Sequence, residues 1–273
     1  MREAGVDVEP VALDDATLGD LVGGAARDGF DAVIAAGGDG TVSAVASALS
    51  SAGRGALPLG VLPVGTLNHF AKDLRIPLRL ADAAAVIAAN NPQPVDLGEV
   101  NGRCFINNSS IGLYPHMVSK RDRHQQRLGY GKWLAMFFAF VSVFRRYPLL
   151  EVVLDTGDVA MRRTTPFVFV GNNWYEVAGF NLGGRATVCN GDLSLYTANQ
   201  TGRLGLVRLA LRALFGRLEQ ARDFDAVRLT HFTIDTRKKT LRVALDGEVT
   251  RLVPPLNYRI RPCAIQVLLP REM

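Results

Sequence analysis

The sequence predicts an α/β domain built on a parallel sheet, followed by a mainly β domain. Short apolar runs alternate with helical patterns up to about residue 95, and strand-like runs dominate beyond it. A two-residue turn signal, Asn101-Gly102, stands just after the change. The 273 residues are enough for two moderate domains, expected at 1–95 and 96–273.

Residues 31–36, DAVIAA, form a short apolar run ending in glycines, as a buried parallel strand does. Val42, Val45, Ala46 and Leu49 then fall at i, i+3, i+4 and i+7, one face of a helix. A second strand is expected in PLGVLPV at 58–64, and Gly65 opens another helix. Residues 81–90, ADAAAVIAAN, are helical again and stop before Asn91-Pro92.

In the second half, VDLGEV and RCFINN flank the Asn101-Gly102 turn as a hairpin. Further strands are expected in PFVFVGN, DLSLYTA, AVRLTHFTI, TLRVALDGEVTRLV and AIQVLLP, with helices at 131–147 and 204–218. The architecture that follows is a sandwich or partial barrel.

Composition excludes several function classes. With 48% apolar and 21% charged residues the chain is an ordinary globular protein. A net charge of +5 favours phosphates or an anionic membrane surface. No basic block is interleaved with aromatics, which argues against nucleic acid as a partner. Cys104, Cys189 and Cys263 are far apart in sequence and form neither a CxxC pair nor a disulfide framework, which predicts a reducing, cytoplasmic home. The N-terminus carries no signal-peptide pattern. The most apolar stretch, residues 134–144, is 11 residues long, against the ~20 that span a bilayer. Flanked by Lys132, Arg145 and Arg146, it suits an interfacial helix making transient contact with the inner membrane face, or equally a core helix. The Arg-lined helix at 204–218 carries the same two readings. His69, His116, His124 and His231 lack metal-ligand spacing, and Trp133 and Trp174 read as packing residues. A homodimer is left open.

Three motifs carry chemistry. Strand, Gly37-Gly38-Asp39-Gly40-Thr41, then helix offers consecutive N–H groups to a di- or triphosphate, with glycines admitting close backbone approach. Asp39 would repel a bare phosphate and makes sense beside Mg2+, or else as a helix cap. Gly65-Thr66-Leu67-Asn68 repeats the arrangement one βα unit later, where Thr66 and Asn68 can donate to phosphate or ribose. Asp246-Gly247-Glu248 is a hairpin turn that presents a carboxylate able to take a proton from a hydroxyl, or a hairpin turn and nothing more.

AAGGDGT, PLGVLPVGTLNHFAKDL, VDLG with FINNSSIGL, VFVGNN and LDGE occur in that order along nearly the whole chain. The ordered set resembles the diacylglycerol kinase catalytic-domain family, which also holds bacterial lipid kinases and sphingosine kinases. The resemblance implies a Rossmann-like nucleotide domain followed by a β-sandwich domain, with ATP and Mg2+ in a cleft between them and a lipid as acceptor. It implies that Gly37, Gly38, Asp39, Gly40, Thr41, Val42 and Ser43 hold the nucleotide phosphates, beside Gly65, Thr66 and Asn68. It casts Glu248 as general base with Asp246 nearby, and Asp39 as the third catalytic carboxylate. A structural Mg2+ in some bacterial members lies near a DG-x-L turn, which here reads Asn190-Gly191-Asp192-Leu193, so Asn190 replaces the usual Asp. The chain departs from the pattern at Ser43-Ala44, where Asn-Glu is common, and at His69, where Asp is common. Set against the family pattern, the sequence is expected to begin after the family's first strand. A catalytically lapsed binder and a soluble-substrate kinase of NAD-kinase type are the alternatives to a lipid kinase.

Overall fold

A computed structural model describes residues 1, 4–14, 17–53, 56–112, 149–157, 160–178, 181–185, 188–198 and 224–271. The expected helices at 131–147 and 204–218, with His116, His124 and Trp133, lie outside the described residues. The chain divides into two units: Met1–Asn107 with Arg185–Gly191 and Ile260–Met273, and Asn108–Gly184 with Asp192–Arg259.

In the first unit, helix α1 (Leu18–Ala25) leads to strand β1 (Val33–Gly37), helix α2 (Asp39–Ala52) and strand β2 (Leu59–Pro63). Helices α3 (His69–Asp73) and α4 (Leu80–Ala88) follow, then strands β3 (Pro92–Val100) and β4 (Arg103–Phe105). β1 and β2 pair in parallel, Val33 opposite Leu59 and Gly37 opposite Pro63, so both strands end at one level. The expected helical face is the one α2 buries: Val42, Val45, Ala46 and Leu49 pack with Leu59, Val61, Val95, Leu97 and Val267 in a single core. Gly65 opens no long helix; α3 starts only at His69 and has 5 residues. The β3–β4 hairpin turns at Asn101 (φ 46°) and Gly102 (φ 81°), a pair of positive angles that Asn-Gly adopts readily.

The break expected at residue 95 falls inside β3, and the first unit keeps the whole β3–β4 hairpin. It also recovers the end of the chain, because the last strand runs parallel to β2 with Val267 opposite Leu59. Local composition carries no mark of that return, since the partner lies some two hundred residues earlier.

Among the described residues the second unit contains a six-stranded antiparallel sheet, a second group of antiparallel strands, and a two-stranded pair of β9 with β10. Its strands are β5 (Asn108–Gly112), β6 (Leu150–Asp155), β7 (Ala160–Thr165), β8 (Phe167–Asn172), β9 (Tyr175–Ala178) and β10 (Asn181–Arg185). They continue with β11 (Leu193–Ala198), β12 (Phe224–Leu229), β13 (His231–Asp235), β14 (Leu241–Leu245) and β15 (Glu248–Leu252), and the last strand, β16 (Leu256–Leu268), belongs to this unit up to Arg259 and to the first unit beyond it. One sheet has the order β12-β11-β8-β5-β14-β15. In the other, β6 lies between β13 and β7, and β13 pairs with the first residues of β16. The hydroxyls of Ser109 on β5 and Tyr258 on β16 meet at 2.9 Å and join the two sheets, with Phe232 stacked on the Tyr258 ring at 4.9 Å.

AVRLTHFTI is two strands and not one. The chain leaves β12 at Thr230 and continues as β13 in the other sheet. Both strands keep an alternating pattern, so the switch has no local signature. Among the described residues, no helix is long and apolar enough to cross a membrane.

Candidate nucleotide and acceptor site

The two glycine motifs meet backbone to backbone in the first unit. A Cβ placed on Gly65 would fall onto the Cα of Gly38 and lie 2.7 Å from Oδ1 of Asn68. A Cβ on Gly37 would run into the Thr41 side chain. The glycines are therefore required by contact between loops, beyond any ligand.

Asp39 ties the two motifs together. Its Oδ2 accepts the His69 N–H at 3.1 Å and its Oδ1 accepts the Phe70 N–H at 2.9 Å, capping α3 from a different segment. Asn107 Nδ2 approaches the same Oδ1 at 3.5 Å. Asn68, at a left-handed φ of 50°, spends its amide on the carbonyls of Pro63 (3.1 Å) and Gly65 (2.7 Å), which closes its own loop. Its donors serve the fold, while Thr66 stays exposed between the exposed side chains of Val64 and Leu67.

Gly38, Gly40, Thr41 and Ser43 are half-buried along the first turn of α2. Val42 points into the core at 3% exposure, and its N–H goes to the Gly38 carbonyl at 3.1 Å. The N–H groups ahead of Val42 are the ones a helix start leaves without intrahelical acceptors.

In the second unit, Asp246 (φ 48°) and Gly247 (φ 91°) turn the β14–β15 hairpin. Asp246 Oδ1 accepts the Asn108 N–H at 3.0 Å, and the Asp246 N–H returns to the Asn108 carbonyl at 2.9 Å, pinning the turn to the start of β5. Glu248 opens β15 opposite Leu245, and its carboxylate is exposed without a side-chain partner among the described residues. Asp246 holds the turn and Glu248 remains available for chemistry.

Of the residues expected at a structural cation site, Asn190 is exposed, and Asp192 has a buried Oδ1 without a hydrogen-bond partner among the described residues. Its Oδ2 lies 3.7 Å from Arg228, whose guanidinium sits 4.5 Å over the Trp174 ring, so Trp174 packs against a cation. Asp39, the third residue expected to bind metal, is engaged at the start of α3. Sequence reasoning missed Asn172 and Asn173, both wholly buried, with the Asn173 carbonyl accepting from Ser194 Oγ at 2.7 Å. It also missed that Cys189 and Cys263 are neighbours, their sulfurs 3.1 Å apart across 74 residues.

Residues 1–100 match the family model described as the diacylglycerol kinase catalytic domain, and 117–269 match the YegS C-terminal NAD kinase beta sandwich-like domain. The chain belongs to the diacylglycerol kinase family. Within that family it is similar to a Pseudomonas putida KT2440 protein named "Probable lipid kinase YegS-like", 31% identical over 253 residues covering 92% of this chain and 81% of that one. It is 28% identical to the "Diacylglycerol kinase" of Bacillus subtilis 168, over 89% of this chain and 79% of that one. A "Probable lipid kinase YegS-like" of Pseudomonas aeruginosa PAO1 is 42% identical over 113 residues, a stretch that spans 41% of this chain and 37% of that relative's length. A crystal structure described as a diacylglycerol kinase from Bacillus anthracis str. Sterne shares the fold, with a TM-score of 0.67 at 19% identity over 95% of this chain and 83% of that one.

Proposed function

We propose that this family member transfers the γ-phosphoryl group of ATP to the hydroxyl of a diacylglycerol-like lipid. The observation that carries the reading is the joined pair of glycine loops, with Asp39 holding the α3 backbone against the start of α2. Such a cradle suits phosphoryl transfer, in which positioning and charge stabilisation outweigh covalent chemistry.

In this reading the first N–H groups of α2 bind the phosphates, and Thr66 adds a hydroxyl from the second loop. Glu248 takes the proton of the attacking hydroxyl. Its exposure and its lack of a side-chain partner among the described residues support the role, and Asp246 fixes the hairpin that presents it. Asp39 Oδ2 accepts one N–H and keeps a second lone pair, so Asp39 is the residue that would hold Mg2+ with the nucleotide. When bound, that ion supplies charge neutralisation on the β- and γ-phosphates. The Oδ1 of Asp192, without a hydrogen-bond partner among the described residues, also suits a structural cation. The acceptor is drawn from a membrane surface by transient contact, consistent with a net charge of +5.

The test is ATP turnover with Mg2+ against diacylglycerol, sphingoid-base and phosphatidylglycerol micelles, with NAD as the soluble alternative. Turnover on one lipid that disappears in Glu248→Gln, with ATP still bound, supports the reading. Turnover on NAD alone, or ATP binding without turnover on any acceptor, overturns it.

A further inference from the structure

We propose that Asp96, Cys189 and Cys263 form a site for one soft divalent cation of the zinc class. Their ligand atoms all lie within 4.8 Å of one another, although the residues come from three separate stretches of the chain. All three belong to the first unit.

Asp96 organises the cluster. It stands in β3 with no exposed surface, and its own N–H bonds the Val188 carbonyl at 3.0 Å. One carboxylate oxygen accepts the Gly191 N–H and the other the Cys263 N–H, each at 2.7 Å. These three bonds draw the segment around Cys189 and the segment around Cys263 to a single carboxylate. Cys263 itself has φ 47°, a left-handed conformation uncommon for a residue with a side chain, and the in-out alternation of β16 breaks around it. That break leaves the Cys263 thiol on the surface beside the Cys189 thiol, 3.1 Å away.

The donor set decides the class of ion. Two sulfurs and one carboxylate oxygen suit zinc, whereas Mg2+ and Ca2+ require oxygen throughout. Zinc bonds of about 2.3 Å to sulfur and about 2.1 Å to oxygen place tetrahedral donors ~3.6–3.8 Å apart. The cluster reaches that span once the sulfurs separate by roughly 0.7 Å and the sulfur–carboxylate distances, within 4.8 Å as they stand, close to about 3.6 Å, rotations open to the two exposed cysteine side chains. The Cys189 thiol hydrogen-bonds both Asp96 and Cys263, contacts that an ion bound by the deprotonated thiol would replace. Because both thiols are exposed, the ion has an entry path and solvent completes its fourth position. The donors differ from those of the Mg2+ expected at Asn190 and Asp192, although Asp96 also accepts the Gly191 N–H of that turn.

The experiment uses the full chain, reduced and stripped with chelator, then given zinc chloride alone and passed through buffer exchange. One zinc retained per chain is expected, with Cys189→Ser and Cys263→Ser each weakening zinc binding at least about tenfold, the lower end of the loss caused even by residues outside the ligand shell. Cys104→Ser should bind as the unaltered chain does. Cobalt added to the unaltered chain should give thiolate charge-transfer absorption, a readout that needs no variant to fold. Failure to retain zinc, retention unchanged in both serine variants, or cobalt binding without thiolate absorption would each overturn the site. So would a chain isolated without reductant that is lighter by two hydrogens, with Cys189 joined to Cys263, and that binds no zinc after reduction.

Discussion

Oδ1 of Asp39 lies 2.9 Å from the backbone nitrogen of Phe70, 31 residues further along the chain. Phe70 is wholly buried, so this bond anchors a core side chain and the second glycine loop in one contact. Asp39→Ala removes the acceptor for two N–H groups and should cost ~1–2 kcal/mol of stability. Asp39→Asn keeps one acceptor oxygen and should cost less. Urea unfolding of the two variants checks the order. Equal stability of Asp39→Ala and the unaltered chain would remove the capping role.

Gly65 and Gly38 face each other unequally. Gly65→Ala drives its methyl into the Gly38 backbone, whereas Gly38→Ala meets the Gly65 Cα at 3.4 Å, a contact that a small shift relieves. The first should weaken ATP binding and lower the melting temperature markedly more than the second. Calorimetric titration and thermal melting read both, and the reverse ranking would contradict the loop contact.

Glu248→Gln and Asp246→Ala should fail in different ways. The exposed Glu248 makes no side-chain bond among the described residues, so its amide should leave melting unchanged while turnover falls by roughly 10²–10⁴-fold. Asp246→Ala loses the bond to the Asn108 N–H and places alanine at φ 48°, so stability should fall as well. The pair of measurements separates a proton acceptor from the residue that positions it.

Tyr258 supplies a pH-dependent term. Full burial pushes its phenol well above the ordinary value of 10.0, partly offset by the hydrogen bond to Ser109. A raised folded value means that the unfolded chain releases this proton first. The Tyr258 contribution is complete below about pH 10 and is lost as pH climbs toward the folded value. Tyr258→Phe should flatten the alkaline fall in stability while lowering stability at neutral pH through the lost hydroxyl pair. Parallel alkaline curves for the two proteins would refute the assignment.

The features legible in the sequence are those whose physics is local. Asn101-Gly102 and Asp246-Gly247 announced their hairpins because both turns need consecutive positive φ angles, which these residue pairs supply. The buried stripe of α2 was readable from spacing alone, and β1 and β2 from short apolar runs. The ordered motifs also carry the likeness to the family.

Sequence by itself therefore determined the α/β-then-β order, the glycine loops and the carboxylates worth testing. Tertiary structure decided which groups are spent on the fold: Asp39 on α3, Asn68 on its own loop, Val42 on the core and Asp246 on Asn108. It also decided that β16 returns to the first sheet, that the chain changes sheets at Thr230, and that Cys189 finds Cys263. Each of these is a contact between residues distant in the chain or a choice between equally alternating strands. Such choices follow from packing and hydrogen-bond satisfaction over the whole molecule, and no local periodicity encodes them.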